Sequence, residues 1–221
     1  MIKAYKKFIE ESEMAINNFP ELQLCIREDS MPYLFGKIDL YDNNGNLYDS
    51  YHIRIECTSN YPETFPWIYE TSNRLPHNID WHIYPDGHFC ICTPLEEHIA
   101  CAKELTLTTF IEKQVVPYLH NQRFREKEGY FMNERSHGTK GVLESIYDIL
   151  GVNEFNKARA MLNYIYKNDA PLRIAMCFCG SNKKYRNCHK KAYIDIKSIG
   201  QQKLATVLVN FKLLNVLEIN P

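Results

Sequence analysis

Ile2, Tyr5, Phe8, Ile9 and Ile16 recur at near-helical spacing, which predicts an amphipathic helix over residues 2–17 that stops before Pro20. The period then changes. The run YLFGKIDLYD ends at Asn43-Asn44-Gly45-Asn46, a strong hairpin signal, and beyond it Tyr51, Ile53, Ile55 and Cys57 alternate with His52, Arg54 and Glu56. That alternation predicts half-buried antiparallel strands in a meander. Leu107, Phe110, Ile111, Val115, Tyr118 and Leu119 return to helical spacing, with Pro117 expected to kink the last turn and the run from Arg123 to Lys127 expected as a solvated face. ERSHGTKGVLESIYDILGV leads through Gly141 into a short helix, and NEFNKARAMLNYIYKND predicts another before Pro171; together they read as a helical bridge. Leu204, Val207, Leu208, Phe211, Leu214 and Leu217 share one face of a tail helix, which is expected to pack on the main domain rather than on a partner.

The stretch YPETFPWIYETSNRLPHNIDWHIYPDGHFC interrupts these patterns. Pro62 and Pro66 each fix φ and remove a donor, so the chain leaves the sheet near Tyr61, and Asp86-Gly87 supplies a tight turn three residues before a cysteine. This places the Cys90 thiol on a shelf. Tyr61-Pro62, Pro66 and Gly87-x-x-Cys90 resemble the signature stretch of ubiquitin-conjugating enzymes, and the order of elements extends the resemblance over roughly residues 1–150. The resemblance implies an α+β fold, a four-stranded antiparallel meander with flanking helices, in which Cys90 carries an acyl group as a thioester.

Two departures bear on the site. Relatives hold an asparagine eight residues ahead of the cysteine, whereas Asn78 stands twelve ahead and His82 occupies the eight-residue position. Either an insertion brings Asn78 to the site or His82 replaces it, and the direct lead of Trp81-His82-Ile83-Tyr84 into the turn favours His82. Its imidazole has two readings: it holds the loop by hydrogen bonding, or it stabilises an oxyanion or handles the proton of an attacking amine. His82 and His88 are also the neighbours able to lower the thiol's pKa or to act as base. Cys101, aligned through the expected helix start at Leu105-Thr106, falls beside the active site and is a second candidate thiol. Cys25 and Cys57, on strands, read as small hydrophobes, and Cys92 as structural.

Cys177-x-Cys179, eight intervening residues, then Cys188-His189 form a second motif, which with Gly180 and Ser181 resembles the SEC-C zinc motif. Zinc takes four soft or borderline ligands in a tetrahedron, and two short-spaced pairs joined by a loop supply three thiolates and an imidazole. Such a site is closed and structural. A unit this small cannot bury enough apolar surface, so metal binding is expected to contribute most of its folding free energy. The organisation expected is a conjugating domain over 1–150, a helical bridge over 151–173, the zinc motif over 174–192 and a tail helix over 193–221.

Composition narrows the partners. Among 221 residues, 26 Lys and Arg balance 27 Asp and Glu, and the clustered basic residues lie only around the zinc motif, so nucleic acid is not the expected partner. No run approaches the length of a membrane span, and MIKAYKKFIEES lacks the apolar core of a signal peptide. A cytoplasmic protein, with no membrane partner and no structural disulfide, is expected. Three functions fit: a transferase that passes a partner's C-terminus from Cys90 to an amine, a non-catalytic binding module of the same fold, or a thiol hydrolase. The histidine before Asp-Gly-x-x-Cys combined with a SEC-C motif resembles the standalone conjugating components of cyclic-oligonucleotide antiphage (CBASS) operons. That resemblance implies a partner protein with a C-terminal glycine or similar tail, such as a cGAS-like nucleotidyltransferase. No nucleotide-binding glycine loop is present to adenylate that tail, so activation is expected from elsewhere.

Overall fold

Alternation of buried and exposed side chains along residues 33–56 builds the sheet that carries the first candidate site. The computed structural model describes residues 3–28, 30–132 and 134–219, with side chains described to residue 214. By packing, the chain divides into two units, Met1–Cys92 with Glu104–Glu134, and Thr93–Lys103 with Arg135–Pro221.

In the first unit, strands β1 (Leu22–Cys25), β2 (Tyr33–Tyr41), β3 (Leu47–Glu56) and β4 (Trp67–Glu70) form an antiparallel meander in chain order. Register Ile38↔Tyr51, Leu34↔Ile55 and Ile55↔Ile68 puts these side chains on one face, where all are buried. Cys57 continues that face and is buried; Cys25 instead lies on the other face, half-buried, because it pairs with Tyr33 and not with an inward residue. The β2–β3 turn forms at the asparagine-glycine signal, with Asp42 Oδ1 accepting from the Asn44 and Asn46 amides at 2.8 and 2.9 Å.

Helix α1 (Lys3–Asn18) buries Ala4, Phe8, Ser12 and Ala15, so its inward stripe runs along small residues and Phe8, with Tyr5, Ile9 and Ile16 at its margins. Ile2 lies outside the described residues. Thr106 caps helix α3 (Leu107–Phe110), a π-helical turn follows at Ile111–Val115, and α4 (Val116–Glu128) completes the rod. Pro117 accounts for the interruption. It has no N–H for the carbonyl four residues back and its ring would collide with it, which widens the preceding turn rather than kinking the last one. Leu107, Phe110, Ile111, Val115 and Leu119 are buried as their spacing predicts.

Arg123 to Lys127 is not a plain solvated face. Arg123 pairs with Asp49, and Arg74 reaches both Asp49 (2.7 Å) and Glu126 (2.8 Å) while lying 4.1 Å from the centre of the Tyr51 ring. Arg125 lies over Trp81 and Phe131, each at 4.7 Å. Carboxylates from β3 and α4 therefore share one guanidinium, which ties the helix to the sheet and to the segment after β4.

The second unit holds α2 (Pro94–Ala102), α5 (Gly138–Leu150), α6 (Phe155–Lys167), α7 (Lys190–Ser198) and α8 (Gln201–Ile219). Leu95, Ile99, Leu143, Ile146, Leu150, Leu162 and Ile165 share one buried core with Cys177, Tyr185, Tyr193 and Ile196. Packing therefore does not follow a boundary at 150 or a bridge over 151–173. α2 and α5 bury their apolar faces here, and α6 forms the core around which the cysteine-rich segment folds. Along α8, Leu204, Leu208 and Phe211 are buried in the same core and Phe211 stacks on Phe155 at 4.5 Å; the Leu217 side chain lies outside the described residues.

Gly36 is the position where the sheet tolerates least. Its φ is +142° and an added Cβ would stand 2.0 Å from the Glu21 carbonyl oxygen, a backbone atom that cannot swing away. Gly36→Ala is expected to cost roughly 2–4 kcal/mol in urea unfolding, against about 1 kcal/mol for Gly45→Ala, where the space is open. Equal losses would show that the close approach of β1 to β2 is not as described.

Candidate functional site

After β4 the chain runs through a loop, forms a 3₁₀ turn at Ile79–Trp81 and enters a small hairpin that presents Cys90. Asn78 caps the 3₁₀ turn, its Oδ1 accepting from the Asp80 amide at 2.9 Å, so the side-chain oxygen serves the backbone here. His82 closes the turn in the left-handed region (φ 52°, ψ 37°), a conformation that few side chains other than asparagine share readily.

The hairpin follows from Tyr84-Pro85-Asp86-Gly87-His88. Proline suits the first central position, Gly87 takes φ +92°, the Gly87 amide donates to the Tyr84 carbonyl at 2.8 Å, and the Tyr84 amide donates to the His88 carbonyl at 2.9 Å. Ile83 pairs with Phe89, and both are buried. Side chains alternate, so Tyr84 with His88, and His82 with Cys90, belong to the opposite face. One further main-chain bond fixes Cys90: its amide donates to the His82 carbonyl at 2.7 Å. The same carbonyl accepts from the Tyr118 hydroxyl at 2.8 Å, and the Trp81 carbonyl accepts from Gln122 Nε2 at 2.7 Å. Two α4 side chains thus clamp the backbone just ahead of Cys90.

The Cys90 thiol is half-buried. Tyr84 hydrogen-bonds the Cys90 side chain; that bond first, and burial second, push the phenol up to about 12. His88 faces the ring of Tyr84, stacked at 4.2 Å, and its Nδ1 lies 2.6 Å from Asp86 Oδ1. The His82 ring packs edge-on against Phe131 at 5.0 Å, and the His82 main chain is bonded to Cys90. Cys101 is not at a helix start. It lies within α2, in the second unit, because Thr93-Pro94-Leu95-Glu96 begins a helix with a capping box that spacing alone does not reveal. Sequence patterns also leave Tyr84 and Tyr118 unmarked, although Tyr84, six residues before Cys90 across a proline-aspartate-glycine turn, is placed by the hairpin register.

In the second unit Cys177, Cys179, Cys188 and His189 converge, with all four ligand atoms within 4.8 Å of one another. His189 Nδ1 lies 3.3 Å from Cys177 Sγ and 3.1 Å from Cys188 Sγ, and Cys179 Sγ lies 3.7 Å from Cys188 Sγ. Zinc–sulfur bonds of about 2.3 Å in a tetrahedron separate thiolates by roughly 3.8 Å, so this spacing fits zinc. The imidazole is oriented to ligate through Nδ1. His189 Nε2 stands 2.8 Å from the Leu150 carbonyl, which fixes Nε2 as the donor and leaves the Nδ1 lone pair facing the sulfurs. Burial pushes the Cys177 thiol up to about 11. Burial opposes ionisation of Cys179 too, but the Ser181 hydroxyl and amide bring that thiol down to about 6. The cluster sits on the core, with Phe178 stacked on Tyr164 at 4.6 Å and Tyr185 buried. No disulfide joins the described cysteines.

Residues 175–191 match the SEC-C motif, a span that contains all four converging ligands. No curated protein matches the chain. Among solved structures, the chain is similar to the yeast Vps23 UEV domain in complex with a Vps27 PSDP peptide, at 14% identity and a TM-score of 0.37, over 62% of this chain and 90% of that one. No described helix is long and apolar enough to cross a membrane.

The chain purified without chelator is expected to carry one zinc, and a Cys177→Ser, Cys188→Ser double variant to lose it. Removing the metal is expected to lower the melting temperature of the second unit because its ligands sit on that unit's core. Zinc retained by the double variant in metal analysis would contradict the ligand assignment.

Proposed function

We propose that the chain is a ubiquitin-conjugating-like transferase. Cys90 takes the C-terminus of a partner protein as a thioester and passes it to an amine, and the Cys177, Cys179, Cys188 and His189 cluster holds a structural zinc. The observation that carries this reading is the mounting of Cys90: a half-buried thiol on the outer side of a hairpin whose inner side is buried, its amide tied to the His82 carbonyl at 2.7 Å. Aminolysis of a thioester needs a held acyl group and a stabilised oxyanion more than a strong base. The amine attacks the carbonyl carbon, the C–N bond forms, and collapse of the intermediate breaks the C–S bond. The electron pair returns to Cys90 Sγ, and the ammonium proton passes to water. The meander with flanking helices, like the motif around Cys90, supports a UBC-like fold for the first unit.

The thiol-hydrolase reading needs a base at the sulfur. His82 and His88 on the same hairpin are the groups that could supply it, and release of free peptide acid separates this reading from transfer. A non-catalytic module is favoured by a different feature, the exposed Phe35 and Trp67 on the outer sheet face, and adduct formation separates the two. The partner proposed is a protein with a C-terminal glycine or similar tail, a cGAS-like nucleotidyltransferase in an antiphage setting being the case that the sequence motifs support, within the cytoplasm.

Incubation with a glycine-terminated synthetic peptide thioester is expected to give a thiol-sensitive adduct on the parental chain. The adduct should survive Cys92→Ser and Cys101→Ser and disappear as a thioester in Cys90→Ser. Loss only in Cys101→Ser would move the nucleophile to α2, release of free peptide acid without amine conjugate would indicate a hydrolase, and no adduct at all would indicate a binding module.

His82 is expected to act chiefly through its backbone. Because asparagine accepts the left-handed conformation more readily than alanine, His82→Asn should discharge the preformed adduct faster than His82→Ala. A loss of two to three orders of magnitude, shared equally by both variants, would instead assign the imidazole a direct role that no amide can replace (about 3–4 kcal/mol).

A further inference from the structure

We propose that Gln122, together with Tyr118, is a positioning residue of the Cys90 site: α4 holds the carbonyls of Trp81 and His82 and thereby sets where the Cys90 thiol meets an acyl group. This inference rests on the acyl-transfer reading above.

Three side chains of α4 converge on two consecutive residues ahead of the hairpin. Gln122 Nε2 donates to the Trp81 carbonyl at 2.7 Å, and the Tyr118 hydroxyl donates to the His82 carbonyl at 2.8 Å. Arg125 lies over the Trp81 ring at 4.7 Å. Positions 118, 122 and 125 follow helical spacing, so one face of α4 supplies all three contacts. The His82 carbonyl has a second donor, the Cys90 amide at 2.7 Å, and the two bonds use both of its lone pairs. Tyr118 also stacks on Phe89 at 4.5 Å, so the same side chain steadies the residue next to Cys90.

Stability does not account for this set. Gln122 is fully buried, yet its Oε1 has no partner among the described residues, and the buried Nε of Arg125 has none either. An acceptor buried without a donor destabilises a fold, whereas methionine, of similar volume, would bring no such atom. A polar side chain kept under that penalty points to a task other than packing. The task is placement. The acyl carbon on Cys90 Sγ and the attacking nitrogen must meet at a defined distance and angle, and the position of Sγ follows from that of the Cys90 backbone. Without the bond from Gln122, the His82 turn, left-handed at φ 52°, is free to relax, and Cys90 moves with it through the carbonyl they share.

Single-turnover discharge of a preformed Cys90 adduct tests this on the full zinc-loaded chain, with a glycine-terminated peptide thioester as acyl donor and free lysine as the varied acceptor. Gln122→Met and Tyr118→Phe are each expected to lower the limiting discharge rate about tenfold, and the double variant further, with the lysine concentration at half-rate unchanged. The melting temperature is expected to hold in Tyr118→Phe and to hold or rise in Gln122→Met. A merely structural role would instead lower the melting temperature along with the rate. A parental limiting rate in Gln122→Met would overturn the proposal, as would a rate loss seen only together with a fall in melting temperature. A higher lysine half-rate concentration at a constant limiting rate would also overturn it, because the residues would then serve acceptor binding. A parental chain that never forms the adduct would sink the transferase reading itself, and the positioning role with it.

Discussion

Burial of Ile83 and Phe89 on one side of a short hairpin decides where Cys90 points, and the proposed acyl transfer depends on that one pairing. An antiparallel pair cannot bury one set of side chains without exporting the next. Once Ile83 and Phe89 enter the core, with Phe89 stacked on Tyr118 at 4.5 Å, Tyr84, His88 and Cys90 must face outward. Apolar transfer thus orients a thiol, at roughly 1.5–3 kcal/mol for each large side chain buried. The bonds from Cys90 and Tyr118 to the His82 carbonyl then remove the remaining freedom of the backbone.

A similar coupling of packing to chemistry governs the second unit. Its cysteine-rich segment has little apolar surface of its own, yet Cys177 and Tyr185 are buried in a core made chiefly by α2, α5, α6, α7 and α8. The hydrogen bond from His189 Nε2 to the Leu150 carbonyl joins the ligand set to the end of α5. That carbonyl would otherwise be one of the unpaired acceptors at a helix C-terminus, so one contact both satisfies the helix end and selects the imidazole tautomer that a metal requires.

Much of this is legible in the sequence where one period dominates. Tyr51, Ile53 and Ile55 alternate because their strand has one dry face, and Leu107, Phe110, Ile111 and Val115 follow helical spacing because their rod has one buried stripe. Cys177, Cys179, Cys188 and His189 are legible for a different reason, since their spacing alone marks them as a group that could hold a metal. What is not legible lies where distant partners decide. Arg123, Arg125 and Glu126 look like solvent-facing charges in sequence, and only the arrival of Asp49, Arg74, Trp81 and Phe131 from elsewhere gives them contacts. α2 escapes a reading by period because its capping box is short and its apolar residues few, and this moves Cys101 to the wrong element. The stack of His88 on Tyr84 is a contact that follows from hairpin register and not from composition.

On the proposed reading Cys90 is the reactive thiol, whereas Cys57 is a core residue, and Cys177, Cys179 and Cys188 are engaged with one another and with His189. Limiting iodoacetamide on the native, metal-loaded chain, with labelling resolved peptide by peptide for all eight cysteines, tests that ranking directly. The expected result is that Cys90 labels first and that Cys57 and the three clustered cysteines label last. Faster labelling of Cys101 or Cys25 than of Cys90 would contradict it.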